Sequence, residues 1–76
     1  MGNNYLEFRV KSYGKSDLAM LYNPQMSVRE ALRLLMRWIV RNEALCRELE
    51  EMGYRKNSKI LTPREVEAIT RYLGEP

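Results

Sequence analysis

Ser27-Val28-Arg29-Glu30-Ala31-Leu32-Arg33-Leu34-Leu35-Met36-Arg37-Trp38-Ile39-Val40-Arg41 is the stretch on which the rest of the chain turns. Ser27 and Glu30 form a capping-box signature: the Ser hydroxyl can accept from the third helical amide while Glu30 reaches back to the Ser27 amide. The spacing therefore predicts a long helix over about Val28 to Arg41. Val28, Ala31, Leu32, Leu35, Trp38 and Ile39 recur at helical spacing and define a core-facing side. Trp38 is read as a packing residue of that side, since an aromatic within an apolar helical face contributes mainly buried area.

The other side of this helix carries Arg29, Arg33, Arg37 and Arg41, each four residues after the last. At about 100° per residue they fan across roughly 120° of surface and face outward. Bases at this spacing repel by a few tenths of a kcal/mol per pair. Glu30 can assist Arg33, but no acid within the helix lies three or four positions from Arg37. Such a row is expected where phosphates or an acidic partner supply the missing charge. The alternative is that Glu48, Glu50 or Glu51, carried by another element, closes over the row in the fold.

Working outward, Tyr5 to Lys11 alternates Leu6, Phe8 and Val10 with Glu7, Arg9 and Lys11, which predicts a short strand. Gly14 breaks it, and a short helix opens at Lys15 or Ser16, places Leu18, Leu21 and Tyr22 on one face and stops at Asn23-Pro24. Beyond the long helix, Asn42 caps a third helix with Leu45, Leu49 and Met52 at helical spacing, closed by Gly53 in the left-handed conformation. Ile60-Leu61 is expected to pair with the first strand. Thr62-Pro63-Arg64-Glu65 then opens the last helix with a second capping box and proline at its first position, and Gly74 ends it. The expected core is Leu6, Phe8, Val10, Leu18, Leu21, Leu32, Leu35, Trp38, Ile39, Leu45, Leu49, Ile60, Val66, Ile69 and Leu73. The fold class is mainly α, with three to four helices around a small two-stranded β element. One domain spans 1–76, its residues 1–4 expected to be disordered.

Composition narrows the function. At 45% hydrophobic and 30% charged residues, the 76-residue chain has globular usage and material for one core. Residues 1–42 hold seven Lys or Arg against three acids, whereas residues 43–76 hold six against seven, so the net +3 sits in the first half. The chain has no histidine and one cysteine, Cys46, so it offers no disulfide, zinc set or Cys/His nucleophile. It also lacks a glycine-rich phosphate loop, and Glu50 and Glu51, being adjacent, point about 100° apart rather than forming a carboxylate dyad. We expect no enzyme, no cofactor, no metal and no small-molecule substrate. No apolar run suits a secretory signal or a membrane span, which leads us to expect a cytoplasmic protein.

Arg55-Lys56-Asn57-Ser58-Lys59 is a second basic cluster, compatible with the tip of a hairpin. Lys15 to Ala19, a turn, and Ser27 to Leu32, followed by Ile60 to Val66, resemble the helix-turn-helix and post-wing segments of winged MerR-like and excisionase-like proteins. The differences are a longer Asn23 to Met26 connection, a longer second helix and an added third helix. That resemblance implies that Arg29 and Arg33 face DNA, with Arg55, Lys56 and Lys59 on a wing. Phe8 to Ala19, Arg37-Trp38-Ile39, Gly53-Tyr54, Leu61-Thr62-Pro63 and Tyr72 to Pro76 resemble a family of short uncharacterised Bacteroidetes proteins, a domain of unknown function. It implies a bacterial protein and no particular activity. Together these readings give an expected nucleic-acid surface of Arg29, Arg33, Arg37, Arg41, Arg55, Lys56 and Lys59, with DNA as the expected partner. The alternative is a homodimer or protein-interaction module using Met20, Tyr22, Met26, Leu34 and Met36.

Overall fold

Helix boundaries fall where the capping chemistry puts them. In the computed structural model, which describes residues 8–76, the elements run β1 (Tyr13–Gly14), α1 (Lys15–Tyr22), α2 (Val28–Arg41), α3 (Glu43–Glu51), β2 (Ile60–Leu61) and α4 (Pro63–Leu73). Four helices thus surround a two-stranded antiparallel sheet. At the start of α4 the Thr62 Oγ1 accepts from the Glu65 amide at 3.2 Å, and the Thr62 amide donates to Glu65 Oε1 at 2.8 Å. The box at α2 is only half made: Ser27 Oγ accepts from the Glu30 amide at 3.2 Å, but Glu30 receives the Ser27 hydroxyl at 3.3 Å instead of the Ser27 amide. Glu65 is buried and held in place, whereas Glu30 is exposed and water competes for its carboxylate.

Asn42 serves two helices, its amide donating to Ile39 O and its Oδ1 accepting from the Leu45 amide at 3.0 Å. At the far end of α3, Gly53 has φ 88°, the Gly53 amide reaches Glu50 O and the Tyr54 amide reaches Leu49 O, both at 3.0 Å. This is the two-bond termination that requires a left-handed residue, and glycine takes that conformation without a Cβ clash.

The buried core joins Leu18 and Ala19 of α1, Ala31, Leu35 and Ile39 of α2, Leu45 and Leu49 of α3, Leu61 of β2, and Val66, Ala68 and Ile69 of α4. α1 packs along α2, and α3 packs against both α2 and α4.

Several expected core positions lie elsewhere. The strand expected over Tyr5 to Lys11 is displaced: Tyr13 pairs with Leu61 and Gly14 with Ile60, while Phe8 to Lys11 form no regular element and Val10 is exposed. An alternating segment becomes a strand only against a partner of matching length, and β2 has two residues before Pro63 begins α4. Phe8 is half-buried, stacked on Tyr13 with ring centroids 5.5 Å apart. Tyr5, Leu6 and the expected disordered residues 1–4 lie outside the described residues. Ile60 is exposed and its neighbour Leu61 buried, because successive strand residues point to opposite faces. Leu21 is also exposed. The buried face of α1 is Lys15, Leu18, Ala19 and half-buried Tyr22, the i, i+3, i+4, i+7 set, from whose centre Leu21 lies about 110° away. Val28 begins α2 at an uncovered end and is exposed, and Leu32, Trp38 and Leu73 are half-buried.

Trp38 meets the Tyr22 ring edge-on at 5.9 Å, and the Tyr22 hydroxyl donates to Gly74 O, so α1, α2 and the end of α4 meet there. Burial, aided by Glu75, pushes the Tyr22 phenol up to about 12 from 10.0. A phenol that holds its proton more tightly in the native state contributes stability that is complete below the unfolded pKa of 10.0 and is lost as pH rises through about 12. Urea midpoints measured across this alkaline range are expected to fall, and Tyr22→Phe to fall less steeply. Equal slopes for the two proteins would show that the Tyr22 phenol is not the source.

Candidate nucleic-acid interface

On α2 the three buried residues, Ala31, Leu35 and Ile39, centre on a direction about 180° from the centre of Arg29, Arg33, Arg37 and Arg41 at 100° per residue. All four arginines are exposed. Among the described residues, none lies within ion-pair distance of an acid, and the two ion pairs found are both made by Arg71. The acids that could have closed over the row do not. Glu48 grips the Arg71 guanidinium through two bonds of 3.2 and 2.5 Å and accepts the Tyr72 hydroxyl at 3.0 Å. Glu67 holds the same guanidinium at 3.1 and 2.9 Å. Arg71 draws both carboxylates below their usual range and its own pKa rises in return. Glu48 of α3 and Glu67 of α4 are thus both held by Arg71, and Glu50 and Glu51 stand exposed on α3.

The basic segment is placed by Lys15, a residue the sequence reading treated only as a helix start. Its amide donates to Lys59 O at 2.8 Å, its Nζ donates to Lys56 O at 2.8 Å, and the ammonium sits 4.9 Å from the Tyr54 ring centroid. The Ser58 amide closes a turn onto Arg55 O at 3.1 Å. The expected hairpin tip is therefore corrected: β2 pairs with β1, more than forty residues earlier, and Arg55–Lys59 is a turn leading from α3 into the sheet. The local partner strand that a hairpin needs is absent among the described residues, because Gly53 ends α3 directly before the segment.

Lys56, Asn57, Ser58 and Lys59 share a groove of about 390 Å³ with Lys15, Ser16, Leu32 and Met36. Leu32 and Met36 lie on the flank of α2 that borders Arg29 and Arg33. In angular order from Met36 come Arg29 at about 20°, Val40 at about 40° and Arg33 at about 60°, while Arg37 and Arg41 follow at about 100° and 140°. The fold thus brings Lys56 and Lys59 to the same flank as Arg29 and Arg33. Arg37 faces outward, Arg41 borders a different depression with Trp38, Asn42, Glu43 and Leu73, and Arg55 is exposed without lining this groove. Asn57 and Ser58 come with the expected basic segment, whereas Leu32 is expected in the core and Met36 on a protein-interaction surface, and no reading of the sequence joins these two to the turn. The available signal was Lys15 itself, a lysine standing in the i position of the apolar face of α1.

Residues 9–76 match the model of a protein family described as Domain of unknown function (DUF4248). The chain belongs to this family. Neither a curated protein nor a solved structure matches it. Family membership thus covers all but the first eight residues and leaves the chemistry to be argued from the surface. Among the described residues no helix is long and apolar enough to cross a membrane, and no group of three or more His, Cys, Asp or Glu could hold a metal ion.

Proposed function

We propose that the chain is a small nucleic-acid-binding protein, without a catalytic role, whose α2 arginine face and Lys56–Lys59 turn contact phosphates. The observation that carries this reading is the arginine row of α2, which finds no acid in its own fold among the described residues while Glu48 and Glu67 are committed to Arg71. A row of exposed guanidiniums costs little in water and gains most when phosphates replace their hydration. Arg29, Arg33, Lys56 and Lys59 form the nearer part of the surface, with Arg37 and Arg41 continuing it along the helix and Arg55 at the turn. The resemblance to winged helix-turn-helix proteins makes DNA the expected partner, and a bacterial cytoplasm is the setting that fits the lone thiol and the family resemblance.

Each phosphate contact releases counterions, so on duplex DNA affinity is expected to fall with salt at a log-log slope of about −0.9 per contact. Anisotropy titrations of a labelled duplex between about 50 and 200 mM salt measure that slope. Replacing Arg33 and Arg37 together by Ala removes two cations that point away from the core, and flattens the slope by about 2 without loss of fold. Absence of salt-sensitive binding to DNA or RNA at low ionic strength, or an unchanged slope in the double variant, overturns the proposal.

A further inference from the structure

A second groove, of about 220 Å³, runs between α2, α3 and the Tyr54 turn, and it contains both a knob and a hole. Its floor is Ile39 and Leu49, both buried, and its walls are half-buried Met36, Cys46 and Tyr54. Val40 stands at its edge with 55% of its surface exposed, inside the arc otherwise occupied by arginines. One acid, Glu50, and one base, Lys56, flank the same groove, both exposed and neither in an ion pair among the described residues.

We infer that this groove is a homodimer interface, in which a second copy related by a two-fold axis places its Val40 in the groove and its Lys56 and Glu50 opposite Glu50 and Lys56. A two-fold interface uses the same patch twice, so each residue's partner must be present on that patch. This one carries an apolar projection, an apolar recess, a cation and an anion. A partner of a single charge sign would bury either Glu50 or Lys56 without a counter-ion, which is costly, whereas a second copy pairs both. Cys46 sits in the wall with its Sγ donating to Ile39 O at 3.0 Å, so the thiol helps to shape the groove and is not spare. This groove shares Met36 and Lys56 with the one beside Arg29 and Arg33, so the dimer engages an ammonium that the phosphate-binding reading also uses; association is measured without nucleic acid, so the two readings fail separately.

Sedimentation equilibrium of the full chain from micromolar to millimolar concentration is expected to show a monomer–dimer equilibrium. Val40→Glu drives a carboxylate, whose nearest cation is Arg37 of its own helix, into the partner's apolar recess and is expected to raise the dissociation constant at least about tenfold, with an unchanged circular dichroism spectrum. Glu50→Lys and Lys56→Glu are each expected to weaken the dimer, and the two together to restore it by exchanging the signs of both pairs. A chain that stays monomeric throughout, a Val40→Glu dimer of undiminished strength, or a double reversal that fails to recover association overturns the inference. Because Glu50 and Lys56 are exposed, the charge reversals keep the test decisive even if Val40→Glu fails to fold.

Discussion

Leu35→Ala is expected to destabilise the protein by roughly 3 to 5 kcal/mol, the range for a leucine removed from a core that cannot collapse around the space. Leu35 is 0% exposed, at the middle of the buried side of α2, in one cluster with residues from α1, α3, β2 and α4. A domain of this size holds only about 5 to 10 kcal/mol in total, so the loss takes between about a third and all of it. Urea unfolding followed by circular dichroism measures the loss. A decrease below about 1 kcal/mol would show that the core is not organised around this face of α2. The exposed Leu21 and Val28 supply the contrast: alanine at either is expected to stay within about 0.5 kcal/mol of the parent.

Lys15→Met is expected to lower stability by about 1.5 to 3 kcal/mol, the ordinary worth of a hydrogen bond from a charged donor, and to loosen the Tyr54–Lys59 turn. Methionine keeps an apolar stem of similar length, so the change isolates the ammonium and its bond to Lys56 O. The opposing effect is that the buried ammonium bears a desolvation cost, which pushes its pKa down despite Glu65 nearby. Removing that cost stabilises the protein only if the Lys56 carbonyl is satisfied without the lysine. The backbone bond from the Lys15 amide to Lys59 O survives the substitution, so the turn should fray rather than detach. Amide hydrogen exchange is the second readout, with faster exchange expected at Arg55 to Ser58 and unchanged protection in α4. Equal or greater stability with unaltered exchange would remove Lys15 from its role in placing the basic turn.

The arginine row and the basic turn could be read from the chain separately, because helical spacing and local composition are properties of neighbouring residues. Their relation could not. Lys56 and Lys59 come to the Leu32–Met36 flank of α2 through contacts that span more than forty residues, the Lys15 bonds to the turn and the pairing of Gly14 with Ile60 beside it. Glu48 illustrates the same limit. Its placement on a solvated helix was legible, but whether it faced the arginines of α2 or Arg71 depended on how α3 packs on α4.

The sequence by itself determined the four helices, because capping residues, glycine stops and 3.6-residue periodicity act within a few positions along the chain. It also determined that the arginines of α2 face away from the core, since their spacing opposes the apolar set on the same helix. Tertiary structure alone decided that the strand is Tyr13–Gly14 and not the alternating segment before it, that Leu61 and not Ile60 enters the core, and that Lys15 is buried. Each of these depends on a partner distant in sequence: two residues of β2 can pair with only two, and their register fixes which side chain points inward. A lysine is buried where a carbonyl and an aromatic ring brought by another segment meet its ammonium.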